Sequence, residues 1–149
     1  MAVNPIPTGY HTATPYLIVS GAAAAIEFYK RAFGATELFR LDGPDGSIGH
    51  AEIKIGDPAI MLADEHPEVG AMSPKSLGGT ATSILLYVED VDARFQQAIA
   101  AGAKELRPLK NQFYGDRSGT LEDHSATNGR SPRTSKTFPR TRCAAASKR

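Results

Sequence analysis

The sequence is poor in the features that would assign it to several large classes. It has one cysteine, Cys143, so no internal disulfide is possible, which fits a reducing compartment. It has no tryptophan and no apolar run of about 18 residues, so no membrane-spanning helix is expected. The first residues, MAVNPIPTGYH, lack the basic stretch and apolar core of a secretory leader. These absences point to a soluble, cytoplasmic chain. The last 26 residues, 124–149, contain no acid and no Leu, Ile or Val.

What remains is the composition of an ordinary globular domain, with 41% hydrophobic and 22% charged residues in 149. The formal charge of +1 is a cancellation. Residues 124–149 carry seven Lys/Arg and no acid, leaving ten basic and 16 acidic residues in 1–123. The body is therefore −6 and the tail +7. An acidic body argues against a nucleic-acid-binding core.

The body repeats itself. PYLIVSGAAAAIEFYKRAFGATEL (15–38) and ILLYVEDVDARFQQAIAAGAKEL (84–106) each read as strand, helix, then Gly-Ala-x-Glu-Leu. The period is near 68 residues: the closing segments 34–38 and 102–106 are offset by 68, and Val19 and Val88 by 69. In the first unit Ser20 is the expected cap, Ile26, Tyr29, Ala32 and Phe33 the apolar stripe, and Gly34 the stop. In the second, Asp90 caps, Val91, Phe95, Ala98 and Ile99 form the stripe, and Gly102 ends the helix. Strands are predicted at Glu37–Leu41, Gly49–Ile55, Ala59–Ala63, Lys104–Leu109 and Ser118–Glu122. Gly43-Pro44-Asp45-Gly46 is a turn, and residues 65–80 are a Pro/Gly/Ser-rich linker. The repeat demands one more strand after Asp123, but the tail shows no matching pattern and has a disordered composition.

The segments TPYLIV (14–19), AIEFYKRAFGA (25–35), HAEIKIGD (50–57), MLAD (61–64), LLYVEDVDA (85–93), AGA (101–103) and FYGDRSGTLED (113–123) resemble the vicinal oxygen chelate superfamily of glyoxalases, bleomycin-resistance proteins and dioxygenases. The likeness is to its PhnB-like branch and covers about residues 10–123. It implies an α+β fold of two βαβββ modules forming a cupped mixed sheet around a cavity, and a homodimer. Module one is placed at 12–64, the linker at 65–80 and module two at 81–123. The final strand of module two is expected to be replaced by an irregular basic tail, 124–149. Relatives continue after the last Asp with a sequence like PFGHxWxxATH. Codons exist for residues 123–149 such that one added C after the Asp123 codon yields DPFGHQWSIATHVKDVPADEMRRRLEA. A single-base deletion is therefore the expectation, with a natural basic tail as the alternative.

The resemblance also implies where a divalent metal would sit, and those positions carry non-ligands. They are Thr14 on the first strand of module one, Met61 on its last strand and Ser83 on the first strand of module two, while the fourth position falls in the missing strand, where even the restored frame puts a Ser. The expectation is a small-molecule-binding protein with no cofactor. The alternative is a lyase, dioxygenase or isomerase of the same superfamily, with one divalent metal ion on His50 and Glu52. His50 and Glu52 are two apart on one strand and so share a face. They are a binding pair, a replacement metal site or an ordinary exposed strand face, and two ligands alone do not make a metal site.

Tyr16, Met61, Tyr87, Phe113 and Tyr114 are candidates to line an apolar cavity or to pack a core. Asp116 and Arg117 are candidates to clamp a polar ligand at its mouth, or to form an ion pair that fixes the loop. Asp64-Glu65-His66 reads as a solvated loop, and His11 as a surface residue. No nucleophile–base pair can be assembled, and Gly115–Gly119 is not a phosphate loop because no Lys-Ser/Thr and helix follow. The expected partners are a small molecule and a second copy, with neither nucleic acid nor membrane.

Overall fold

The computed structural model describes residues 5–123 and 140–145. Two four-stranded mixed sheets are built from eight strands in chain order: β1 Tyr16–Val19, β2 Thr36–Asp42, β3 Ile48–Lys54, β4 Ala59–Asp64, β5 Ser83–Tyr87, β6 Lys104–Asn111, β7 Arg117–Glu122 and β8 Arg140–Ala145. Their spatial orders are β1-β4-β3-β2 and β5-β8-β7-β6, the same arrangement twice. In each sheet the first strand runs parallel to the last, and the other pairs are antiparallel. The fold is the expected α+β pair of βαβββ modules.

Helices α1 (Ala22–Phe33) and α3 (Val91–Ala100) cover one face of each sheet. α1 buries Ile26, Phe28, Tyr29, Ala32 and Phe33, and Phe28 meets Phe33 edge-on at 5.9 Å. α3 buries Val91, Phe95 and Ala98 at i, i+4 and i+7, as the stripe predicted, with Ile99 partly buried. Both helices belong to one apolar cluster with Ile53, Leu62, Leu86 and Leu121. Each such side chain, fully buried, is worth about 1.5–3 kcal/mol. Two hydrogen bonds also tie the modules: Gln97 Nε2 donates to the Arg31 carbonyl at 2.6 Å, and the Tyr29 hydroxyl to Asp123 at 2.8 Å.

The caps show where local sequence reading holds and where it does not. Asp90 accepts from the Ala93 N–H at 2.9 Å, as expected. Gly34 ends α1 with φ of 68°. Ser20 does not cap α1. Gly21 occupies the cap in a left-handed conformation, and Asp64, arriving from the end of β4, accepts from Gly21 N and Ala22 N, both at 2.8 Å. Its second oxygen accepts from Ile48 N at 2.8 Å. The reading of residues 64–66 as a solvated loop is thus corrected. Glu65 likewise accepts from Ser73 N and the Ser76 hydroxyl, holding the linker. That linker is partly ordered, with a 3-10 turn at Pro67–Val69 and a short helix, α2, at Pro74–Leu77.

The second correction concerns the tail. The expectation that no regular strand completes module two fails for residues 140–145, which pair with both β5 and β7. The reason is backbone chemistry. Without a strand in this slot, two facing rows of N–H and C=O groups would lack ladder partners, and any extended segment can satisfy them. The segment Arg-Thr-Arg-Cys-Ala-Ala has no proline and alternates with period two over its first half. It enters late. Four residues, 55–58, separate β3 from β4, whereas seventeen, 123–139, separate β7 from β8. Residues 124–139 and 146–149, where disorder is expected, lie outside the described residues.

Candidate functional site

The face of the first sheet turned away from α1 carries the candidate site. Registered partners run straight across it: Tyr16 of β1 opposite Met61 of β4, Met61 opposite Glu52 of β3, and Glu52 opposite Phe39 of β2. Alternation puts Ala51, Ile53 and Leu62 on the other face, against α1, where all three are buried. The same alternation leaves His50, Glu52, Tyr16 and Phe39 on the open face. Tyr16, Phe39 and Leu41 are each about half exposed, which is unusual for large apolar residues in register on one sheet.

Four polar groups are linked across this face. The Tyr10 hydroxyl donates to Oε2 of Glu52, His50 Nε2 lies 3.1 Å from Oε1, and the Tyr16 hydroxyl lies 2.8 Å from His50 Nδ1. Proton directions follow from the acceptor at the centre. An ionised Glu52 can only accept, so His50 Nε2 must carry a proton. In neutral His50 the other nitrogen is then an acceptor, and Tyr16 donates to it. The ring of Phe39 lies 6.1 Å from the imidazole and that of Tyr16 5.5 Å. The Tyr10 hydroxyl, and to a lesser degree His50, hold the Glu52 carboxyl below its usual range against a desolvation that raises it. The same bond pushes the Tyr10 phenol up.

Of the sequence candidates, the structure brings together Tyr16, His50, Glu52 and Met61. Tyr87 is on the exposed face of β5 in the other sheet. Phe113 and Tyr114 form the β6–β7 turn, packed edge-on on each other at 5.1 Å and otherwise exposed. Arg117 reaches away from Asp116 and grips Asp92 of α3 through Nε at 2.8 Å and an Nη at 2.7 Å. Its loop-fixing ion pair exists with a different partner. His11 bonds Asp57 at 2.9 Å on the surface. Sequence reasoning missed Tyr10 and Phe39. Period-two alternation in Thr36–Asp42 could have found Phe39, but nothing local predicts a hydroxyl 42 residues from its acceptor.

The donor set does not fit a metal. Thr14 donates to the His11 carbonyl at 3.2 Å, Met61 is a thioether, and Ser83 is a hydroxyl. No three His, Cys, Asp or Glu residues gather among the described residues. Both nitrogens of His50 are already engaged. In module two, Thr120 stands where Glu52 stands in module one, between Arg107 and Arg142 in register, and is buried. Burial pushes the neighbouring Glu122 carboxyl up, with Lys104 opposing.

With the fold and this face in view, comparison with known proteins is decisive at one level. Residues 10–126 match the Glyoxalase/Bleomycin resistance protein/Dioxygenase superfamily. The chain belongs to that superfamily. An uncharacterized protein of Mycobacterium bovis is 45% identical over 126 residues, covering 83% of this chain and 80% of that one. TioX from Micromonospora sp. ML1 superposes with a TM-score of 0.66 at 21% identity, covering 90% of this chain and 98% of that one. A point mutant of the fosfomycin resistance protein FosX from Listeria monocytogenes, complexed with Mn(II) and 1S,2S-dihydroxypropylphosphonic acid, gives 0.64 at 16%, covering 92% and 90%. At these identities the solved structures establish the fold. The match to the superfamily ends at residue 126, close to the composition change at Asp123. No helix among the described residues is long and apolar enough to cross a membrane.

Proposed function

We propose that this chain is a metal-free small-molecule-binding protein of the PhnB-like branch, acting in the cytoplasm as a homodimer. Its ligand lies on the open face of the first sheet. The observation that carries the reading is the bonded line Tyr10–Glu52–His50–Tyr16 beside the exposed rings of Tyr16 and Phe39. It offers aromatic surface for stacking and a carboxylate–imidazole pair for one polar group. A second copy covers the face, and its Tyr87, Phe113, Tyr114, Asp116 and Arg117 supply the opposite wall.

The second reading is a metal-dependent lyase, dioxygenase or isomerase using His50 and Glu52. The Mn(II) in the FosX complex favours it. Binding a metal at Nε2 of His50 would require that nitrogen to lose its proton and the Glu52 bond to break. Elemental analysis of protein purified without added ions separates the two. The expected result is well under one equivalent of Zn, Ni, Mn or Fe. About one ion per chain, lost in His50→Ala or Glu52→Ala, overturns the metal-free reading.

A further inference from the structure

The open face holds a nucleophile–base pair that no local sequence pattern shows, because its members lie 34 residues apart on different strands. The Tyr16 hydroxyl donates to Nδ1 of His50 at 2.8 Å, and Nε2 of the same ring lies 3.1 Å from Oε1 of Glu52. From the inside outward the order is carboxylate, imidazole, hydroxyl. In that order an acid fixes the tautomer of a histidine, and the histidine takes the proton of an attacking oxygen. β3 presents Glu52 and His50 on one face as an i, i+2 pair, and β4 sets Tyr16 of β1 beside them. Side-chain exposure rises from 14% at Glu52 to 27% at His50, and Tyr16 at the end of the line is half exposed. The acid is therefore shielded and the hydroxyl is open to an incoming electrophile.

The two tyrosines on this line stand in opposite chemical positions. Tyr10 donates to a carboxylate, so ionising it would set two negative charges side by side, and its phenol is pushed up. Tyr16 donates to a neutral imidazole that can accept its proton, and the imidazolium so formed lies against Glu52, which compensates it. Tyr87 and Tyr114 are more exposed than Tyr16, at 64% and 59% against 50%, but no imidazole bonds either hydroxyl among the described residues. We infer that Tyr16 is a nucleophile toward activated acyl and sulfonyl compounds with an aromatic body, with His50 as its general base and Glu52 positioning the imidazole. The Tyr16 oxygen bonds to the carbonyl carbon or the sulfur, its proton passes to Nδ1 of His50 and on to solvent, and the leaving group departs with the bonding electron pair. The Phe39 ring, 6.1 Å from the imidazole, offers the aromatic body a surface to stack on. The inference rests on the metal-free reading, because a metal on Nε2 of His50 would break the Glu52 bond.

Benzenesulfonyl fluoride tests this on the full chain, since it leaves a stable sulfonate ester on a phenol and releases fluoride. Peptide mass mapping gives the rate at each tyrosine, with and without EDTA. Tyr16 should be labelled at least about tenfold faster than Tyr87 or Tyr114, and at the same rate with the chelator present. His50→Gln should cut the Tyr16 rate at least about tenfold and Glu52→Gln by a smaller factor, while the Tyr87 and Tyr114 rates and the melting transition stay in place. Added imidazole should restore part of the Tyr16 rate in His50→Ala. Equal labelling of the three exposed tyrosines, or an unchanged Tyr16 rate in folded His50→Gln, overturns the inference and leaves the metal-free binding reading standing. A fast Tyr16 rate that collapses in EDTA overturns both, because a metal would then be the activating group.

Discussion

Asp64 carries more of this fold than its place beside a turn suggests, and Asp64→Ala measures how much. One carboxylate accepts three backbone N–H groups, from Gly21, Ala22 and Ile48, each at 2.8 Å. Two begin α1, where the helix leaves N–H groups without intrahelical partners and where negative charge is favoured. Gly21 has no side chain to replace the cap. Loss of an N-cap acceptor costs about 0.5–2 kcal/mol, typically near 1. The third N–H opens β3 two residues before His50, and a hydrogen bond to a charged group contributes about 1.5–3 kcal/mol. Partial exposure of Asp64 lets water replace some of this, so about 2–3 kcal/mol is the expected loss. For a chain of this size that corresponds to a fall of roughly 5–10 °C in Tm. Urea and thermal melts of the parent, Asp64→Asn and Asp64→Ala should order in that sequence, since Asn retains one acceptor oxygen. A Tm for Asp64→Ala within about 2 °C of the parent would refute the argument, because exposed substitutions without such a role stay within about 0.5 kcal/mol.

Gly119→Ala should be destabilising by about 1–3 kcal/mol, because a Cβ there would lie 2.6 Å from the Phe95 ring inside a packed core; a urea titration with unchanged slope checks it. The Glu52 carboxyl is held below its ordinary value, chiefly by the Tyr10 hydroxyl, so its contribution is complete above the ordinary carboxylate range and is lost as pH falls through the lowered value. Glu52→Gln should therefore flatten the acid limb of a Tm–pH profile, and an unchanged limb would count against the bond to Tyr10. Asp92→Ala, at an exposed pair with Arg117, should lower stability only slightly in a urea melt, and less at high salt than at low salt. Light scattering at micromolar concentration should give twice the chain mass, and Phe39→Glu on the open face should halve it.

What was legible in the sequence was what local patterns encode. Two copies of strand–helix–Gly-Ala-x-Glu-Leu identified both modules, and the stripes through Phe33 and Phe95 named the buried helix faces. The i, i+2 pair His50 and Glu52 was visible from alternation alone. The rest depends on contacts between distant residues. Asp64 caps a helix 42 residues earlier, Tyr10 reaches Glu52 across 42 residues, and Arg117 chooses Asp92 over its neighbour Asp116. Propensity cannot see such partners, because an equally good local candidate, Ser20 for the cap, was present and lost to a charged acceptor delivered by β4.

β8 is the place where sequence and fold remain in tension. The repeat offset of 68–69 residues maps β4, Ala59–Asp64, onto about residues 127–133, yet the slot is filled by Arg140–Ala145. In module one the equivalent strand brings Ile60 and Leu62 into the core, both buried. The segment RTRCAA has no aliphatic residue larger than Ala and no aromatic. We propose that the gene, or its reported sequence, lacks one base after the Asp123 codon. The restored reading DPFGHQWSIATH puts a Trp and an Ile in the segment that directly follows β7, at the spacing the first module uses. Burying two such side chains contributes about 3–6 kcal/mol at about 1.5–3 each. For a chain near 150 residues, a few °C per kcal/mol makes this a rise in Tm of roughly 10 °C or more. Sequencing the codons around Asp123 tests the proposal directly, and the melting curve of the restored protein tests its physical content. If the restored protein melts no higher than this chain, β8 already packs as well as the family's strand, and the frame-change account fails.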